Sequence, residues 1–100
     1  DEPMAQQPQA VLYNLKTQRV YQLRDDRTVI GRDTNCDVII GDPSVSRHHA
    51  EILHNESGWL IRDTGSTNGI IVNGVATTQS RIYDGAIIDL GTTQLELQEG

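Results

Sequence analysis

Three short stretches of the 100-residue chain hold more hydrogen-bonding chemistry than a turn needs: Gly31-Arg32-Asp33, Ser44-Val45-Ser46-Arg47-His48-His49 and Asp63-Thr64-Gly65-Ser66-Thr67-Asn68-Gly69. A guanidinium is a rigid planar fork of donors, a serine or threonine hydroxyl adds a short charge-assisted bond, and loop amides supply further N–H groups. The arginines, serines and threonines of these stretches, with the loop amides, therefore suit the oxygens of a phosphate dianion. Asn68 suits another target. A carboxamide both donates and accepts, so it can hold the main chain of an extended peptide and read position rather than charge.

Other chemistries fit these residues poorly. His48 and His49 are adjacent, and neighbours in an extended segment point to opposite faces, so no metal site is expected. Cys36 is the single cysteine; it can form no internal disulfide, and Asp37 beside it disfavours the thiolate a nucleophile needs. Gly65 to Gly69 lacks the Gly-Lys-Ser/Thr order and the strand-loop-helix setting of a nucleotide-binding loop. No activated nucleophile or paired general acid and base is legible, so neither catalysis nor a cofactor is expected.

The elements that must position these stretches are short and β-branched: Ala10 to Asn14, Arg19 to Leu23, Thr28 to Ile30, Val38 to Ile40, Ala50 to His54, Trp59 to Arg62, Ile70 to Asn73, Ala86 to Leu90 and Thr93 to Gln98. Turn formers separate them, among them Gly41-Asp42-Pro43, Asn73-Gly74, Asp84-Gly85 and Gly91. Only Pro43 to His54 approaches helical spacing, and it is too polar to form an apolar face. The pattern predicts an all-β sandwich of about nine strands with functional loops at one end. Trp59 and Leu60 are expected to face its core. Gly31, Gly65, Gly69, Gly74, Gly85 and Gly91 are read as backbone devices, giving positive φ or close approach.

Hydrophobic residues are 36% of the chain, with one Trp, three Tyr and no Phe, so Ile, Leu and Val must build the core. One hundred residues make one domain. Residues 1–9, DEPMAQQPQ, read as a flexible lead or linker remnant, leaving 10–100 as the domain. The formal net charge of −6 argues against a surface devoted to nucleic acid or an anionic membrane. No apolar run approaches the roughly 20 residues that span a bilayer, and the first 30 residues lack the order of a secretion signal, so a soluble, cytoplasmic, monomeric domain is expected.

With Gly31-Arg32, Ser46-Arg47-His48-His49, Gly65-Ser66-Thr67-Asn68-Gly69, Val72-Asn73-Gly74, Gly85 and Leu90-Gly91 in this order, the chain resembles the forkhead-associated (FHA) domains, readers of phosphothreonine peptides. The resemblance implies an eleven-stranded antiparallel-type β-sandwich of the SMAD/FHA kind. It implies that Arg32, Ser46 and Thr67 contact the phosphate, that Arg47 contributes a loop amide and positive charge, and that Asn68 bonds the peptide main chain. His48 and Ser66 fall at the periphery of such a site, whereas His49, with Gly31, Gly65, Gly69 and Asn73, is expected to support it. Asn68 to Ile70 and Val75 to Ser80 are expected to form loop surfaces that read residues beyond the phosphothreonine. His48 stands where some relatives carry Lys or Arg, and an imidazole gaining charge beside a phosphate would make binding pH-dependent. Ile70 departs from the Thr common there; as the first residue of a strand it should leave phosphate binding intact. The implied partner is a phosphothreonine-containing protein, such as a serine/threonine kinase or its substrate.

Overall fold

The computed structural model describes residues 10–24 and 26–99; the expected lead at 1–9 lies outside the described residues. Eleven strands follow one another: β1 (Ala10–Asn14), β2 (Val20–Gln22), β3 (Arg27–Gly31), β4 (Val38–Ile39), β5 (Ala50–Asn55), β6 (Gly58–Asp63), β7 (Ile70–Val72), β8 (Val75–Thr77), β9 (Gln79–Ile82), β10 (Ile87–Leu90) and β11 (Thr93–Glu99). They form a six-stranded sheet in the order β2-β1-β11-β10-β7-β8 and a five-stranded sheet in the order β4-β3-β5-β6-β9. The ladder of β3 with β4 is parallel; the other pairings described are antiparallel.

The period-two alternation of a strand buries one face of each sheet. Leu12, Ile30, Ile52, Ile61, Ile88, Leu95 and Leu97 are fully buried between the sheets. Trp59 points inward as expected. Its neighbour Leu60 is half-buried on the opposite face, which corrects the expectation that both face the core. Glu51 is the exception to alternation in β5: it points outward yet is buried, because Arg27 and Arg62 fold over its carboxylate, Arg62 Nε at 2.7 Å.

The strand count exceeds the nine read from apolar spacing because Val75 to Ser80, expected as loop surface, lies in strands β8 and β9 and the link between them. Both are edge strands, and Val75 and Ala76 are exposed, so they carry no apolar alternation to read. What commits β8 is its turn. Asn73 and Gly74 have φ of 52° and 85°, the double positive φ of a type I′ two-residue hairpin, and Val72 pairs Val75 across it.

The ends of β3, β6 and β10 and the starts of β5, β7 and β11 meet at one end of the sandwich, through the pairs Ile30↔Ala50, Ala50↔Asp63, Leu90↔Ile70 and Leu90↔Thr93. The three polar stretches are the loops that leave these ends.

Candidate functional site

The β3–β4 loop begins at Gly31, whose missing side chain is a packing requirement. A Cβ there would lie 2.7 Å from the Arg47 carbonyl carbon and closer still to its oxygen. The resulting close approach lets the Arg32 amide donate to Ser46 O and the Asp33 amide to Arg47 O, both at 3.1 Å. Cys36 Sγ also donates to Arg47 O, at 3.2 Å. Burial, the largest influence, pushes this thiol up, the direction of an inert packing group. Arg32 is exposed; its Nε donates to Val45 O at 2.8 Å, while its two terminal nitrogens make no hydrogen bond among the described residues. One edge of the guanidinium fork is thus anchored and the other faces outward.

Ser46 is fixed from several directions. Its amide donates to His49 Nδ1 (3.1 Å) and its hydroxyl oxygen accepts from the Thr67 amide (3.0 Å). A hydroxyl has one proton to give, and that proton remains for an external acceptor. His49 is fully buried, and because its Nδ1 faces an N–H donor, its ring proton sits on Nε2 and is donated to Gly69 O at 2.7 Å. One imidazole therefore ties the β4–β5 loop to the β6–β7 loop.

In the β6–β7 loop, Ser66 turns inward: its amide donates to Asp63 Oδ1 (2.9 Å) and its oxygen accepts from the Gly69 amide (2.8 Å). Burial pushes the Asp63 carboxyl up, but the Ser66 and Gly65 donors outweigh it and hold the group below its ordinary value. Asn68 Nδ2 donates to Ser44 O at 2.7 Å, so its carbonyl oxygen is left to accept. Arg47, His48 and Thr67 are exposed at the same loop cluster. The structure thus brings Arg32, Ser46, Arg47, His48, Thr67 and Asn68 to one end, with Gly31, His49, Gly65, Ser66 and Gly69 building the loops. Asn73 is not among them. It sits at the far end of β7, where its Oδ1 accepts from the Ile87 amide at 2.9 Å.

Sequence reasoning passed over a latch behind these loops. Asp42 Oδ1 accepts from the amide (2.9 Å) and hydroxyl (2.8 Å) of Ser44, and its Oδ2 accepts from the hydroxyls of Thr92 (2.6 Å) and Thr93 (2.7 Å). The Thr92 hydroxyl above all, with the Ser44 amide and the Thr93 hydroxyl, holds the Asp42 carboxyl far below the usual carboxylate range. The latch pins the β4–β5 loop to the β10–β11 turn, where Gly91 leaves room for Ser44. Asp-Pro-Ser followed much later by Gly-Thr-Thr is its only trace in the sequence.

This arrangement is a preorganised array of donors, with no acid–base pair beside a nucleophile among the described residues. Among the described residues no cluster of His, Cys, Asp and Glu could hold a metal ion.

The FHA domain sequence pattern matches residues 28–91. The chain belongs to the FHA family, a class of non-catalytic phosphothreonine-binding signalling modules. It is 36% identical over 77 residues to the FHA domain-containing protein FhaA of Mycobacterium tuberculosis, covering 77% of this chain and 15% of that protein. It is 32% identical over 80 residues to the oxoglutarate dehydrogenase inhibitor of Corynebacterium jeikeium, covering 80% of this chain and 56% of the inhibitor. The chain therefore spans about half or less of these relatives. Among solved structures, one from a study of phosphothreonine-dependent FHA domain interactions superposes with a TM-score of 0.87 at 32% identity, covering 91% of this chain and 96% of the other. The FhaA FHA domain, solved in complex with the intracellular domain of another protein, gives 0.84 at 32% identity, covering 89% and 99%.

Proposed function

We propose that the Arg32 terminal nitrogens, the Ser46 hydroxyl and Thr67 hold the phosphate of a phosphothreonine in a partner protein, with Asn68 gripping the adjacent main chain. The observation that carries this reading is the orientation of Ser46 and Arg32. In each, one side is committed to the loop framework, leaving donors directed outward at the junction of three loops. Arg47 adds positive charge at the rim. The binding unit runs from Ala10 to Gly100, because β1 is needed to cover β11. Its partner is a protein phosphorylated on threonine by a serine/threonine kinase, or such a kinase itself, on the cytoplasmic side where ATP-dependent phosphorylation takes place. The solved complexes of relatives with phosphopeptide and with an intracellular domain support that class of partner.

The test is selection from an oriented peptide library in matched phosphothreonine, phosphoserine and unphosphorylated forms, followed by calorimetry on selected sequences. Phosphothreonine peptides should be retained and unphosphorylated ones lost. The γ-methyl should give a preference over phosphoserine of about 5- to 150-fold, the range for one methyl-sized contact. Retention of unphosphorylated peptides by wild type, or undiminished binding by folded Arg32→Ala, would overturn the proposal.

A further inference from the structure

Beside the phosphate loops, on the other side of the Asp42 latch, lies a groove of about 430 Å³. The β1–β2 turn forms one wall, and the start of the β4–β5 loop with Thr92 forms the other. Tyr21, Ile39 and Pro43 give it apolar surface, and Lys16 and Arg19 stand on its rim.

The turn that presents these cations is rigidly built. Asn14 is buried at the end of β1, and its Oδ1 accepts from the amides of Lys16 (2.9 Å) and Thr17 (3.1 Å). Its backbone oxygen accepts from Gln18, which adopts a φ of 65°, and its own amide donates to Arg19 O. Lys16 and Arg19 are exposed, and neither side chain forms an ion pair or hydrogen bond among the described residues. By contrast Arg24, Arg27 and Arg62 are each paired with a carboxylate. In a chain of net charge −6, Arg32 and Arg47 at the phosphate loops and Lys16 and Arg19 at the groove form no ion pair among the described residues. The groove's own carboxylate, Asp42, has its oxygens taken up by four donors of the latch. Ile39 in the groove is 43% exposed.

Resting on the reading of the three loops above, we infer that this groove is a second recognition surface, for an acidic segment with an apolar residue in the same partner chain that carries the phosphothreonine. The reach fits. Pro43 in the groove wall is three residues from Ser46, at most about 10 Å of chain, and an extended peptide covers roughly 3.3–3.6 Å per residue. A segment about three to six residues from the phosphothreonine therefore reaches the groove while the phosphate stays seated. Like the phosphate site, it selects by charge and adds apolar contact.

The experiment compares a short phosphothreonine peptide from the library with the same peptide extended, at either end in turn, by Asp-Glu-Ile-Asp-Glu or by Asn-Gln-Ile-Asn-Gln. Calorimetry is performed on wild type, on Lys16→Ala/Arg19→Ala and on Lys16→Glu/Arg19→Glu. At one end the acidic extension should tighten wild-type binding about fivefold to tenfold over the neutral one, the scale of two partly exposed charge pairs. The alanine pair should lose that gain while binding the short peptide as wild type does. The glutamate pair should reverse the preference. Equal affinity for acidic and neutral extensions at both ends, or a gain that survives Lys16→Ala/Arg19→Ala, would overturn the inference while leaving the phosphothreonine reading intact. Failure of wild type to bind the short peptide would instead overturn that reading and remove the premise of this one.

Discussion

Arg32 contributes shape as well as charge, because the bond from its Nε to Val45 O fixes the plane in which its remaining nitrogens lie. Lysine has no second nitrogen to anchor. Arg32→Lys should therefore weaken phosphothreonine-peptide binding about tenfold, and Arg32→Ala about a hundredfold, the scale of losing charge-assisted bonds. Calorimetry measures both effects, and unchanged melting curves separate them from misfolding. Glu51 shows a different use of arginine. Hydrogen bonding from Arg27 above all, and from Arg62, outweighs burial and holds the Glu51 carboxyl below its ordinary value. A carboxylate whose folded pKa is depressed contributes stability that is present above the unfolded value, about 4.3, and is lost as pH falls toward the folded one. Glu51→Gln should cost about 1–3 kcal/mol at pH 7. The gap from wild type should narrow below about pH 4, as thermal melts across the acid range would show.

At the scale of elements, the loops are held by close approaches that tolerate little substitution. Gly31→Ala would drive a methyl into the Arg47 carbonyl, against backbone that cannot swing aside, and should destabilise by about 2–4 kcal/mol while weakening peptide binding. Gly41→Ala meets nothing within 4 Å and has no positive φ, so chemical denaturation should find it within about 0.5 kcal/mol of wild type. The sequence was most legible where apolar alternation is strong, as in β1, β5, β6, β10 and β11. It was silent at β8 and β9, whose exposed edge residues are specified by the Asn73-Gly74 turn and by their partners. The candidate site was legible in its residues because guanidinium, hydroxyl and carboxamide declare their chemistry. Its scaffolding was less so: the link from Ser46 through His49 to Gly69 and the Asp42 latch join positions far apart in the chain, which local spacing cannot reveal. Asn73 is expected, from the family pattern, to support the site, yet a short strand carries it to the far end.

For the molecule as a whole, a net charge of −6 opposes an acidic ligand, so the attraction must come locally from the cations of the recognition end. Raising salt from about 50 to about 500 mM should screen the exposed part of the attraction and weaken phosphothreonine-peptide binding several-fold without abolishing it, because the directional bonds at Arg32 and Ser46 persist. Calorimetry across that range checks this, and a loss of binding altogether would mean that charge alone holds the ligand.

The pairing of β1 with β11 places Ala10 opposite Glu99, while the other ends of the same two strands, near Asn14 and Thr93, reach the recognition end. Ala10 and Glu99 therefore lie side by side, a strand's length behind the loops. In mechanical terms, tension applied between Ala10 and Glu99 acts across the strands and opens the β1–β11 ladder one pair at a time from the rear, whereas tension between a bound peptide and either residue runs along the strands and loads the ladder's hydrogen bonds together.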